Sequence, residues 1–457
     1  MTKDYGILYT LDDYTPFQVI AILVQLQTYK YLLDKVNDIN MAYKVLMDSS
    51  PLHLAATYGL DYCKYLLETE DENRTRRKDE ITALYHAAVK GRLDVVRYLM
   101  NIINEKGPRD EYGNNSLKFA VTYEHLDVCI YLMENDNVTE KNSKDKIGYK
   151  VLHLAALFGH AGILRCIMRN SVDKSPRCNA GKTPLHFAAQ NGNLATFKEI
   201  LKYTMDKNPR CNAGKTPLHF AAMNGNLAIS KCILSGMVEQ VEYYTPQILA
   251  DKLRLEEQIM HPTLLLTPQQ LLNFNHPRIV YSVEKGPRCN DGKTPIHYAA
   301  WNGHLQLYKY MTGITSEKNP RDKYGKTPLH LAAQAGHLIV CIYIMAKNIQ
   351  WQEILPLDNN GNSPFHEAAR NGHLDVCEFF METFDVKDVK NNNGNTPLHL
   401  AAWYGNYEVC EFILKTTKCI NILNYFCETP LDNARQNSKF SIVALMNFHN
   451  QIKKIDT

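Results

Sequence analysis

The chain has 457 residues, 45% of them hydrophobic and 22% charged, and a formal net charge of +3. That length exceeds one ordinary globular core, and the apolar fraction excludes a disordered polymer. The small net charge gives no reason to expect bulk nucleic-acid binding, and no apolar run approaches the roughly 18 residues that a membrane span needs.

The 12 cysteines include no CxxC pair, which argues against a zinc ribbon. The N-terminal stretch MTKDYGILYTLDDYTPFQVIAILV places acidic residues before its apolar run, unlike a secretory signal. A reducing, cytoplasmic compartment is expected, with the nucleus as the alternative.

A heptad recurs along the chain. A threonine or its substitute marks it at Thr15, Ser50, Thr82, Asn115, Lys150, Thr183, Thr216, Thr294, Thr327, Ser363, Thr396 and Thr429. Six intervals are 33 residues; one, between Thr216 and Thr294, is 78. Asn319–Met345 shows the unit complete. Asp322-Lys323-Tyr324-Gly325 is a turn. Thr327 is placed to cap a helix, and Pro328 takes its first position. Ala332-Ala333 favours helix and close packing. Gly336 stops it, and Leu338, Cys341, Ile342 and Met345 give a second amphipathic helix.

TPLHFAA at Thr183 and Thr216, TPLHLAA at Thr327 and Thr396, and SPLHLAA at Ser50, at a period near 33, resemble the ankyrin repeat. The resemblance covers nearly the whole chain. It implies an all-α solenoid of stacked helix-turn-helix units with β-hairpin fingers. It also implies that the histidines link neighbouring fingers and that residues after the Ala-Ala pair face a concave groove. The expected organisation is repeats over 1–243, with 1–44 a degenerate N-terminal capping repeat. Residues 244–288 are a divergent repeat or insertion. Repeats resume over 289–457, with 424–457 a C-terminal cap.

The 78-residue interval fits one repeat plus 45 residues. We read it as a divergent repeat carrying extra residues, with an added helix over Pro246–Met260; a surface loop without a role is the alternative. Asn115 and Lys150 lack the Thr-Pro start, so weaker first helices are expected there.

Stacking aligns equivalent residues into columns roughly 10 Å apart. At that spacing His53, His153, His186, His219, His297, His330, His366 and His399 cannot share one metal ion with bonds of about 2 Å. Gly-Lys-Thr at 181, 214, 292 and 325 imitates the end of a phosphate loop, but the upstream glycine is proline in each copy. No cofactor is expected. Cys129, Cys341, Cys377 and Cys410 share a second-helix position and are read as core. Cys178, Cys211 and Cys289 occupy a finger position and are read as free thiols.

Two candidate binding surfaces remain. The groove candidates are Tyr58, Tyr123, Phe158, Met223, Trp301, Arg370, Trp403 and Tyr404. The basic-finger candidates are Arg109, Arg177, Lys182, Arg210, Lys215, Arg288, Lys293, Arg321 and Lys326. The basic column is either a docking ridge for an acidic partner or a ladder in which arginines bond neighbouring turn carbonyls. The groove tryptophans either anchor a partner or pack on the next finger. The expected function is a monomeric, non-catalytic adaptor or scaffold for protein partners, an acidic segment among them. No small-molecule substrate, nucleic acid or membrane is expected. The alternative is a recognition or regulatory subunit of a larger enzyme, channel or ubiquitin-ligase assembly.

Overall fold

The computed structural model describes residues 56, 60–61, 63–64, 76–103, 109–135, 143–239, 286–348, 355–384, 389–417 and 421–455. The expected N-terminal cap and the added helix over Pro246–Met260 lie outside them. The described residues form helix pairs in two compact units, Met1–Asn179 and Ala180–Thr457.

The first unit contains α1 (Arg76–Lys90) and α2 (Leu93–Ile102), α3 (Ser116–Thr122) and α4 (Leu126–Asn135), and α5 (Val151–Phe158) and α6 (Ala161–Asn170). The second contains α7 (Pro184–Asn191) and α8 (Leu194–Tyr203), α9 (Pro217–Met223) and α10 (Leu227–Glu239), and α11 (Pro295–Trp301) and α12 (Leu305–Ile314). It continues with α13 (Pro328–Gln334) and α14 (Leu338–Lys347), and α15 (Pro364–Asn371) and α16 (Leu374–Thr383). It ends with α17 (Pro397–Tyr404) and α18 (Tyr407–Thr416), and α19 (Pro430–Gln436) and α20 (Phe440–Ile455).

The first helices begin where the sequence places them, but the cap works differently. In α13 the ring of His330, one turn into the helix, accepts the Thr327 N–H at Nδ1 (3.1 Å), and the Thr327 hydroxyl lies 2.9 Å from the same nitrogen. An accepting Nδ1 leaves the proton on Nε2, which donates to the Asn362 carbonyl of the next finger at 3.0 Å. One ring thus closes its own helix and ties it to the next repeat. The expected weak starts survive because substitutes do this work. Asn115 accepts the Lys118 N–H in α3, and His153 accepts the Lys150 N–H in α5.

Most first helices carry a fully buried Ala-Ala pair and pack against the first helix of a neighbouring repeat; α3 has Ala120-Val121 there and α19 has Ala434 alone. The second helices supply the rest of the core. Cys129, Cys341, Cys377 and Cys410 are fully buried there. Burial pushes the Cys129 and Cys410 thiols up to about 12, so they pack as small hydrophobes.

The fingers are tight turns, and no strand occurs among the described residues. Asp322 N–H bonds the Lys326 carbonyl and Gly325 N–H the Asp322 carbonyl, while the Asp322 carboxylate accepts two further N–H groups from Tyr324 and Lys326. Gly325, at φ 77°, makes the reversal. A Cβ there would meet the Asn359 side chain of the next finger at 2.2 Å, so both backbone conformation and close stacking demand glycine.

Four recurring bonds join successive rungs. Asn212 N–H reaches the Ala180 carbonyl (3.1 Å), and His186 Nε2 the Lys215 carbonyl (3.1 Å). Arg321 Nη1 bridges its own Gly325 carbonyl and Leu357 of the next finger at 3.1 and 2.7 Å. At the helix reversal, His373 Nε2 reaches the Gln334 carbonyl of the preceding rung at 3.0 Å.

The same four bonds cross the long interval. Asn290 N–H bonds the Ala213 carbonyl (3.0 Å), Arg210 Nη1 the Arg288 carbonyl (2.6 Å), His219 Nε2 the Lys293 carbonyl (3.1 Å) and His304 Nε2 the Met223 carbonyl (3.1 Å). Helices α9 and α11 pack directly. The rungs at Thr216 and Thr294 are thus bonded directly to each other, although 78 residues separate them in sequence.

Candidate partner-binding face

The structure sorts the basic finger residues into two kinds. The arginines are clamps. Arg210 spans Gly214 and Arg288 carbonyls, and Arg288 spans Gly292 and Arg321 carbonyls while pairing with Glu317 at 2.8 Å. Arg321 repeats the pattern, and Arg109 reaches the Lys144 carbonyl more loosely at 3.5 Å. In Arg210, Arg288 and Arg321 a single Nη1 donates to both carbonyls, and Lys390 at the same column position reaches the Leu423 carbonyl of the next finger at 2.8 Å. Arg177 stands at the equivalent exposed position in the first unit.

The lysines just before each marker lie instead on aromatic rings. Lys182 Nζ is 4.6 Å from the Phe220 ring centroid and 5.3 Å from that of Phe187. Lys215 Nζ is 4.9 Å from Tyr298, and Lys293 Nζ is 4.9 Å from Trp301. The rings come from two first-helix positions, four and seven residues after the marker. Each such contact contributes roughly 0.5–1 kcal/mol and holds the ammonium in place beside the helix. These lysines are half-buried.

Lys326 departs from its column. Where the next repeat would place a ring, it has Glu367, and Lys326 Nζ bonds Glu367 Oε1 and Gln334 Oε1, both at 3.0 Å. Glu367 is only 1% exposed. Nothing local to Glu367 signals this role, which depends on which lysine the preceding rung brings to it.

The groove candidates divide by unit, and Tyr58 lies outside the described residues. In the first unit Tyr123 and Phe158 are exposed, and Phe158 stacks on His160 with centroids 6.0 Å apart. In the second, Met223 and Trp301 are half-buried, Trp301 under Lys293. Trp403 and Tyr404 are 40% and 44% exposed, and Arg370 lies 4.8 Å from the Tyr404 ring centroid. The remaining finger candidates are thiols. Cys178, Cys211 and Cys289 are free and buried, and Cys289 Sγ sits 3.7 Å from the Tyr298 hydroxyl.

Residues that sequence reading passed over include a second linking column at the reversal. His125, His160, His304 and His373, with Asn226 and Asn406, bond carbonyls of the preceding first helix. The signal was present as a Gly-His or Gly-Asn pair after several Ala-Ala pairs.

Repeated helix pairs whose turns and rings bond to the neighbouring rung define a helical-repeat protein. A family profile described as ankyrin repeats, three copies, matches residues 52–145, 152–243, 269–354 and 345–424. The chain belongs to the ankyrin-repeat family, whose members generally mediate protein–protein interaction. No curated protein matches it.

Proposed function

We propose that the chain is a non-catalytic adaptor or scaffold, acting as a monomer in the cytoplasm or nucleus. It holds a protein partner along the first-helix ends and the lysines beside them. The observation that supports this reading is the pair Trp403 and Tyr404, two large rings left 40% and 44% exposed at successive positions of one helix end. Aromatic rings in water are a poor use of apolar surface unless a partner covers them. Such an anchor contributes about 2 kcal/mol or more when buried at an interface.

The test is Trp301→Ala with Trp403→Ala. The double variant should fail to capture a native partner from the source cell while its thermal stability barely moves. Full capture by the variant would exclude this face.

A further inference from the structure

We propose that the rungs marked by Thr183, Thr216 and Thr294 form a docking strip for an extended segment rich in glutamate or aspartate, and that Lys326 closes the strip at one end. The inference rests on the protein-binding reading above and names the partner's chemistry.

The charge on this strip is left uncompensated at its centre. Among the described residues, Lys215 and Lys293 form no ion pair; each ammonium rests on a ring. The carboxylate that faces them both is Asp291 of the finger, which is committed elsewhere. Its bond from Lys323 is the main cause that holds its carboxyl below the usual range, with Lys293 and Lys215 adding to it. One rung further, Lys326 has a buried carboxylate of its own in Glu367. The strip therefore offers positive potential at Lys215 and Lys293 and loses it at Lys326.

Spacing favours an extended chain. Rungs lie roughly 10 Å apart, and an extended segment in the polyproline II conformation has about three residues per turn and advances about 3.1 Å per residue, so every third side chain returns to the same face and comes level with a lysine. The rings beneath the lysines hold the ammoniums at fixed positions, which reduces the entropy that a flexible lysine would lose on pairing. A carboxylate at every third residue is the pattern this strip matches.

The test uses the full chain and a fluorescein-labelled (Glu-Ser-Gly) repeat peptide, with the (Lys-Ser-Gly) peptide as control. Anisotropy should show binding of the glutamate peptide alone, weakening about tenfold from low to physiological salt. Lys215→Gln with Lys293→Gln should weaken it about tenfold at low salt. Lys326→Gln should change it less than twofold. Lys215→Arg with Lys293→Arg keeps the charge and should keep the binding, which separates loss of charge from loss of fold. Unchanged binding by the glutamine pair, an equal loss in Lys326→Gln, or equally tight binding of an oligothymidylate of the same charge would each overturn the proposal. Native-partner capture that survives the glutamine pair overturns this inference alone; a wild-type chain that captures no partner overturns the reading beneath it.

Discussion

Lys118 Nζ lies 3.3 Å from Asp145 Oδ2, and the two side chains are 1% and 7% exposed. Lys118 stands where most repeats have the linking histidine. Its ammonium reaches the next finger in place of an imidazole N–H, and the charge it carries is met by that finger's aspartate. Burial pulls the Lys118 pKa down while Asp145 holds it up. Removing the amine leaves the carboxylate with the Ile147 and Tyr149 N–H groups alone. Lys118→Met should therefore destabilise the first unit by about 3 kcal/mol, as expected for breaking a buried pair. Lys118→His should recover most of that by restoring the ring-to-carbonyl bond. Hydrogen exchange of the amides in α3 and α5 would report both.

The histidine column predicts a loss of stability in mild acid. Burial depresses His219 to about 3 and His297, His330 and His366 to about 4. The unfolded histidines titrate near 6.5. Between those values the unfolded chain binds more protons than the folded one. Stability is thus full above about pH 6.5, falls as pH drops toward 4, and levels below. Each ring contributes on the order of 1 kcal/mol per pH unit in that window. Urea melts at pH 7, 5.5 and 4.5 should show the decline, and His330→Gln should make it shallower. Melts that do not shift over this range would mean that the rings are not held neutral.

Three non-glycine residues among the described ones take left-handed backbone: Glu124, Cys427 and Ser438. Cys427 and Ser438, at φ 60° and 57°, occupy the finger and reversal positions that are glycine in most repeats. Inside the stack a Cβ at Gly394 would meet Tyr425 N at 2.7 Å. Among the described residues no finger stacks on the turn at Cys427 as Tyr425 does on that at Gly394, so a side chain there costs backbone strain but no such collision. Cys427→Gly should raise the melting temperature, by relief of about 0.5–1 kcal/mol. Gly325→Ala, with the next finger in place, should cost more than that and lower it. Differential scanning calorimetry of the two variants checks the contrast.

Deleting 240–284 removes 45 residues and returns the interval between Thr216 and Thr294 from 78 to 33. The rungs on either side are already bonded in register, so the shortened chain should fold with the bonds His219–Lys293 and Arg210–Arg288 intact. Its unfolding free energy should match that of the parent within about 1 kcal/mol. A collapse of the second unit on deletion would show that the segment supports the stack.

The helix pairs were legible because their signals are local. Thr-Pro, Ala-Ala and glycine each act within a turn or two of their own position, and α13 with α14 lies where Asn319–Met345 places it. Pairings between rungs were harder. An arginine that binds a carbonyl and one that awaits an acidic partner look alike in sequence, and Arg288 is resolved as a clamp only by its distances to Gly292 and Arg321. Lys118 and Glu367 carry no local signal, because their partners lie one rung away. The long interval was ambiguous for an arithmetic reason: 78 residues hold either one repeat with a large insertion or two repeats with a small one, and it is the bonds across it, Asn290 to Ala213 among them, that distinguish a direct join.

That join has a consequence for proteolysis. A protease that cuts once between residues 240 and 285 severs the covalent chain but leaves in place the described bonds between the two rungs. The fragments should travel as one particle on gel filtration and separate only in denaturant. Coexpressed as 1–239 and 286–457, they should reassemble without a linker, making this seam a natural place to split the protein into a complementing pair.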